Sequence, residues 1–557
     1  MKKGKFLINI GLLTLVFTGI ICVIKDVSPQ IKSGQSTATY EKEWEEAKNT
    51  PYGKYPELVT YTLGKMAGHN NSNMPKGDTY ENNAYTRYFR EQLNIQNVNV
   101  FEVEESDNYN DIVYMSVMDG NIPDVMVIMD PLVLQTLIEE DLIADLTEVY
   151  EKCASPRIKQ IYESYDTKLL ESVTVDGKLM AIPETNIYNG PDLLWLRKDW
   201  MDKLGLEDPT NLQEAEYIIE QFVEQNPGGL ADTERVGLLC DTDLVGDTNS
   251  CYSLDLLFAT YDVYPQKWVI DETGKAVYSS TTPKMKEALK HLHELYEKGI
   301  IDKQFVVRSE KNLSSLVVDG KCGAFFGPWW APNNPLMEAY AKDPSANWQP
   351  YVIPTNKDGS IHTYKPYANN KCVVVRKGFE HPELIMKIIN MLFDYGRYED
   401  KEAEEINSYY ALNVDTTARP LVINVDYSDA LFRMTTQIKE TLIGKKTEDE
   451  LLGFEKSYYR VCEDYLNNPQ PTPIEWAGYT SRIVATEKLL NSKIVYDEWL
   501  FEQSNALSEE LKLLEKDTFL QIITGEKPIE YFDEFVAKWN KEGGLEETLR
   551  INTEIKK

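Results

Sequence analysis

The sequence predicts an α/β protein in which a mostly parallel sheet is covered by helices. Three observations carry that reading. Strand-like and helix-like segments alternate from Val59 onward. The run Val125-Met126-Val127-Ile128-Met129 is apolar throughout, as a strand buried on both faces requires, and Asp130-Pro131 ends it. Hydrophobic residues make up 42% of the 557, enough for a large core and too many for a disordered chain.

Taken in order, Val59 to Leu63 reads as the first strand, Thr79 to Leu93 as a helix and Val98 to Glu102 as the second strand. After the buried run, Leu132 to Glu140 resumes helical spacing. Asp176-Gly177 is a turn signal. Leu193 to Arg197 is a further strand, and Lys198 to Leu204 a short helix stopped by Gly205. The next helix opens at Asp208-Pro209-Thr210-Asn211, where Thr210 with Gln213, or Asn211 with Glu214, offers a capping box. Met285, Ala288, Leu289, Leu292, Leu295 and Tyr296 follow one helix face up to Gly299. Beyond Lys401 the chain is mainly helical and charge-rich. Ligands of such sheets sit beyond the carboxyl ends of the strands, so Asp130 is a candidate binding residue. Its competing reading is a carboxylate that ends a strand.

Charge and the N-terminus bound the compartment. The 58 Lys and Arg stand against 90 Asp and Glu, and a net charge of −32 disfavours nucleic acid or anionic lipid as the main partner. Lys2, Lys3 and Lys5 precede Phe6 to Ile24, 19 residues without a charge, the pattern of a secretory signal or signal anchor over residues 1–25. Cys22 is a candidate lipidation site near the end of that run, although Ile21 before it is larger than usual there. An uncleaved anchor and soluble release are the alternatives, and all three put the chain outside the cell. Residues 26–54, with Ser33-Gly34-Gln35-Ser36, read as a tether.

Apart from Cys22, six cysteines remain, of which Cys240 and Cys251 are the most plausible local pair, against buried free thiols as the plainer reading. No C-x-x-C, G-x-S-x-G, H-E-x-x-H or G-x-x-x-x-G-K-[ST] occurs, and the five His are scattered, so neither a metal nor a cofactor is expected. Carboxylates are too numerous for counting to dismiss glycosidase chemistry.

Three stretches carry a family resemblance. The first is Asp176-Gly-Lys-Leu-Met-Ala-Ile-Pro183 with Leu194-Trp-Leu-Arg-Lys-Asp-Trp-Met-Asp-Lys-Leu-Gly205. The second is Gly320-Lys-Cys-Gly-Ala-Phe-Phe-Gly-Pro-Trp-Trp330, running to Pro335. The third is Phe519-Leu-Gln-Ile-Ile-Thr-Gly525, with Phe532-Asp-Glu-Phe-Val-Ala-Lys-Trp539 and Gly543-Gly544. In this order they resemble the extracellular solute-binding proteins of carbohydrate ABC transporters, in particular the large lipoprotein subgroup of Gram-positive bacteria. The resemblance implies a two-lobe periplasmic-binding-protein-like fold of the maltose-binding type, its interleaved lobes joined by hinge strands. Residues 55–184 and 353–400 would form the first lobe, and 185–352 and 401–557 the second. Lys178 to Pro183 would lead into one hinge, and Tyr351 to Pro354 would contain another. It further implies a monomer that binds a carbohydrate, docks on ABC permease subunits and performs no catalysis. An extracellular polysaccharide-degrading enzyme and a sensory or adhesive sugar-binding protein are the alternatives. The subgroup's calcium loop would fall at Asn226 to Gly237, where Gly228 and Leu230 supply no side-chain oxygen, so that ion is not expected.

Sugar recognition uses aromatic faces against pyranose C–H faces, and carboxylates, amides or arginines against hydroxyls. Trp329 and Trp330 follow Gly327-Pro328 at a strand end and are candidate platforms, with Asn333 just beyond as an amide. Tyr188, Trp195 and Arg197 follow the expected first hinge, and Trp476 lies on a late segment; core packing is the rival reading for these aromatics. Asn70, in the polar loop after the first strand, completes the candidate set. An anionic sugar would need further arginine, for which Arg197 and Arg419 are available.

Overall fold

The computed structural model describes residues 37–68, 74–104, 107–165, 168–231, 234–246, 250–364, 371–400, 403–412, 414–497, 500–501 and 507–554. Cys22 and Asn70 lie outside the described residues.

Two sheets organise two cores. The first sheet runs in the order Ile95–Glu104, Val59–Ala67, Val125–Ile128, Cys372–Val375, Ile182–Pro183. Its first three strands are parallel, and Val125–Ile128 is buried at every position, as the apolar run requires. Gly64 sits at a register shift where an added Cβ would lie 2.5 Å from the Phe101 ring, so the ring needs a glycine beneath it. The second sheet has the order Trp348–Tyr351, Leu193–Arg197, Cys322–Gly327, Val236–Leu239. There Leu193–Arg197 is antiparallel to both neighbours, and Cys322–Gly327 and Val236–Leu239 pair in parallel. Both sheets are therefore parallel in strand direction except for one reversed strand each, Cys372–Val375 in the first and Leu193–Arg197 in the second. Chain that leaves one core and returns to it adds strands such as Cys372–Val375 in the opposite direction.

The local signals act as expected. Asn211 caps Leu212–Gln225 by accepting from the Glu214 backbone N–H, while the Glu214 carboxylate accepts from Thr210. Pro283–Glu297 buries Met285, Ala288, Leu289, Leu292 and Leu295, and Gly299 stops it at φ +74°. Gly205 ends Lys198–Leu204 in the left-handed region. Asp176-Gly177 turns a small hairpin between Thr174–Val175 and Lys178–Leu179.

Three boundaries differ from expectation. Part of the expected tether is folded: Thr37–Asn49 is a helix whose Trp44 stacks on His381 at 5.3 Å and whose Ala47 is buried in the first core. Trp44 and Ala47 are three apart on one helix face, a short apolar stripe that a polar stretch conceals. Tyr351 lies in the second sheet, and Ile353 and Ile361 pack into the second core, so Tyr351 to Pro354 is not a crossing between cores. The chain rejoins the first sheet only at Cys372. Ala403, Ile406, Tyr409, Leu421 and Val425 belong to the first core, so the chain crosses again after Val425, not at 401. The six described cysteines are unbridged, and Cys240 donates its thiol to the Asp241 carbonyl.

Candidate functional site

The segments linking the two cores lie side by side. Thr185 donates its backbone N–H to the Asn424 carbonyl at 2.7 Å, and Tyr188 donates to Ser428 at 2.8 Å. Asp426 donates its N–H to the Thr185 hydroxyl, which donates in turn to the Asp426 carbonyl. Glu184 is tied likewise to Lys371. Against these segments opens a cleft of about 590 Å³, within the range of small-ligand sites. Ile187, Asn189, Asp426 and Tyr427 line it from the crossing segments.

Residues tied to the first core supply Arg157, Arg397, Tyr398, Tyr410 and Arg419. Arg397 and Tyr398 are carried on Met391–Glu399, a π-helical continuation of Leu384–Asn390. An added Cβ on Gly396 would stand 2.5 Å from the Met391 carbonyl, so glycine permits this wide turn. Arg397 is ion-paired to Asp426. Arg157 pairs with Asp394 at 2.7 Å and Glu399 at 2.8 Å, and its guanidinium lies 4.2 Å from the Tyr398 ring centre. Arg419 is 5% exposed and follows the tight turn Thr416–Ala418. That turn is held by Asn83, which donates its side-chain amide to the Ala418 carbonyl while capping Ala84–Leu93.

The facing wall carries Trp329, Met434, Tyr458 and Arg482. Arg482, on a second π-helical turn, Thr480–Ala485, lies 3.3 Å from the Tyr458 ring centre and 5.6 Å from that of Trp329. Tyr410 meets Phe454 at 6.1 Å and Tyr458 at 6.4 Å between ring centres, so aromatic rings join the two walls. Burial pushes the Glu455 carboxyl above its ordinary range, opposed by the Leu452 N–H that it accepts.

The sequence candidates are dispersed. Trp329 lines the cleft; Tyr188 lies between its lining neighbours Ile187 and Asn189, against Tyr165 and Tyr496. Arg419 also lines the cleft. Trp330 lines an adjacent recess with Asp241, Asp243 and Tyr252, and Asn333 donates its N–H to the Trp330 carbonyl in the same turn. Trp195 is fully buried and donates Nε1–H to the Gly327 carbonyl, so period-2 alternation puts it in the core. Arg197 is paired with Asp199 and lies over Trp200 and Trp348, away from the cleft. Trp476 stacks on Tyr340 at 4.7 Å and is 7% exposed. Asp130 caps Pro131–Glu139 by accepting from the Leu132 N–H. Arg157, Arg397, Tyr398, Tyr410, Tyr458 and Arg482 had no sequence signal beyond residue type; the glycine at 396, inside an apolar helix, was the one local irregularity.

Solved structures share this architecture. An extracellular solute-binding protein of Bifidobacterium longum subsp. infantis matches with a TM-score of 0.59 at 15% identity, over 89% of this chain and 97% of that one. The alginate-binding protein AlgQ2 matches with a TM-score of 0.57 at 14% identity, over 90% and 98%. The fold is thus the two-lobe α/β fold of the solute-binding proteins. No family model matches the sequence. Among curated proteins, the chain is 23% identical over 374 residues to the polygalacturonan/rhamnogalacturonan-binding protein YtcQ of Bacillus subtilis, 67% of this chain and 69% of that protein. It is 23% identical over 394 residues to lipoprotein LipO of the same species, 70% and 73%. It is 24% identical over 287 residues to the fructooligosaccharide ABC transporter substrate-binding protein FusA of Streptococcus pneumoniae, 47% and 50%. These relatives are named as binding proteins or a lipoprotein, not as enzymes.

Proposed function

We propose that this protein is the substrate-binding component of a carbohydrate ABC importer, capturing an oligosaccharide in the cleft beside the crossing segments. The observation that carries the reading is the cleft itself: aromatic faces and guanidinium groups from both walls converge beside the crossing segments. Trp329 is the stacking platform, and the Tyr410, Phe454 and Tyr458 rings close over the ligand. A ligand touching both walls favours the closed arrangement over the open one by its extra contacts, and the closed form docks on the permease. No bond in the sugar is made or broken. The names of YtcQ and FusA, a polysaccharide and an oligosaccharide binder, support the choice of ligand class.

Calorimetry against a panel of neutral and acidic oligosaccharides, with chromatography of the recovered sugar, tests this reading. Stoichiometric binding with the sugar recovered intact is expected; release of shorter products would overturn it in favour of an enzyme. Export with a lipid on Cys22 is proposed from the basic and apolar N-terminus, supported by the naming of LipO. Metabolic labelling with a fatty-acid probe should mark the wild type and leave Cys22→Ser unlabelled.

A further inference from the structure

The cleft has a charge pattern that its surroundings do not. In a chain of net charge −32, its lining holds five arginines and no lysine. Three of them are matched by carboxylates: Arg157 by Asp394 and Glu399, Arg397 by Asp426, and Arg433 by Asp429. The other two, Arg419 and Arg482, meet no carboxylate within ion-pair distance among the described residues. Arg419 is 5% exposed; its guanidinium lies over Phe393 at 5.4 Å and Tyr85 at 5.9 Å, with one long contact at 3.5 Å to the Ile423 carbonyl. Its Nε has no hydrogen-bond partner. Arg482 rests on Tyr458 and points one nitrogen at the Met434 sulfur. The remaining acidic lining groups are already engaged: Glu450 accepts from Thr447, and Glu455 accepts from Leu452.

A guanidinium is charged at any pH the protein meets, and a buried one without a counter-charge is unfavourable. Sugar hydroxyls would hydrogen-bond it but leave the charge uncompensated. A carboxylate or sulfate ester supplies both, and the planar fork of arginine suits such an anion better than lysine does.

Resting on the reading of this cleft as a sugar site, we propose that its ligand is an acidic oligosaccharide, with an anionic substituent seated against Arg419 and Arg482. The aromatic rings beside them take the apolar faces of the pyranose units. The anion thereby neutralises a charge that both the buried and the partly exposed arginine present to the cleft.

The test is calorimetry of the full chain with uronate tetramers, their carboxyl-reduced neutral counterparts and a sulfated tetramer, at low and high salt. The uronates are expected to bind at least about tenfold more tightly than the reduced sugars, with the difference shrinking in salt. Arg419→Gln and Arg482→Gln should each remove that preference, lowering the affinity for the uronates more than that for the reduced sugars. Arg482→Gln, on a partly buried side chain, decides the matter if Arg419→Gln does not fold. Preference for the sulfated tetramer over all others supports the proposal and assigns the anion as a sulfate ester. Reduced sugars binding as tightly as uronates would overturn the acidic ligand and leave the sugar-binding reading standing. Binding of no sugar in any series would overturn both.

Discussion

Two single residues make different kinds of contribution. Trp329 has a large ring in the cleft wall, and its Nε1–H is buried without a partner. Trp329→Ala should weaken oligosaccharide binding by about 1 kcal/mol or more, roughly fivefold, in calorimetry. Trp330→Ala, whose ring faces the neighbouring recess, should change it less. Glu515 belongs to stability instead. It is fully enclosed in the second core, accepts from the Tyr278 and Ser280 hydroxyls, and burial pushes its carboxyl from 4.5 up to about 7, the hydroxyls opposing. The folded state therefore holds the proton more tightly than the unfolded chain. That contribution is complete below pH 4.5 and is lost as pH rises through about 7. Glu515→Gln keeps the shape and removes the titration, so the Tm difference between wild type and variant should change across that window and level off above it.

At the scale of elements, the cleft depends on how two short segments are held. Asn83 starts one helix and anchors another part of the chain: its side-chain carbonyl accepts from the Tyr85 and Thr86 N–H groups, and its amide donates to the Thr79 and Ala418 carbonyls. Asn83→Ala should cost about 1–2 kcal/mol of stability in urea unfolding, the cap loss alone accounting for that range. It should also lower affinity for the ligand, since Ala418 fixes the backbone before Arg419. The π-helical turn is the second segment. Gly396→Ala would press a methyl against the Met391 carbonyl and cost about 1–3 kcal/mol, read as a lower urea midpoint. Because the same turn carries Arg397 and Tyr398, sugar affinity should fall with it. Had the turn been an ordinary α-helix, alanine at this position would stabilise instead.

For the whole molecule, hydrogen-bonded crossing segments join the two cores and rings from both walls meet beside them, and the proposed capture of ligand makes those segments a hinge. Small-angle scattering should show a smaller radius of gyration when a tightly bound oligosaccharide is added. An unchanged radius, with binding demonstrated in the same sample, would count against hinge closure. Tyr410→Ala, which removes the ring meeting Phe454 and Tyr458, should leave the molecule more open at a given ligand concentration.

Local order was written in the chain. The apolar run at Val125, the Asn211 cap, the buried stripe from Met285 to Leu295 and the left-handed glycines at 205 and 299 each follow from forces acting over a few residues. Motif order carried the two-lobe fold by resemblance. Where the chain crosses between lobes was not legible, because Tyr351 and Ile353 are as apolar in a core as in a hinge, and only their partners decide. The same holds for the site. Trp195, Trp329 and Trp476 are equivalent residues in the sequence; packing against Gly327 and Tyr340 buries two of them, and the cleft receives the third. Arg197 finds Asp199 two residues away, whereas Arg419 reaches the cleft without a carboxylate. Residue type and spacing thus determined an α/β chain with sugar-compatible groups. Tertiary structure decided which groups meet, since the cleft joins positions from 157 to 482 and no local force spans that distance.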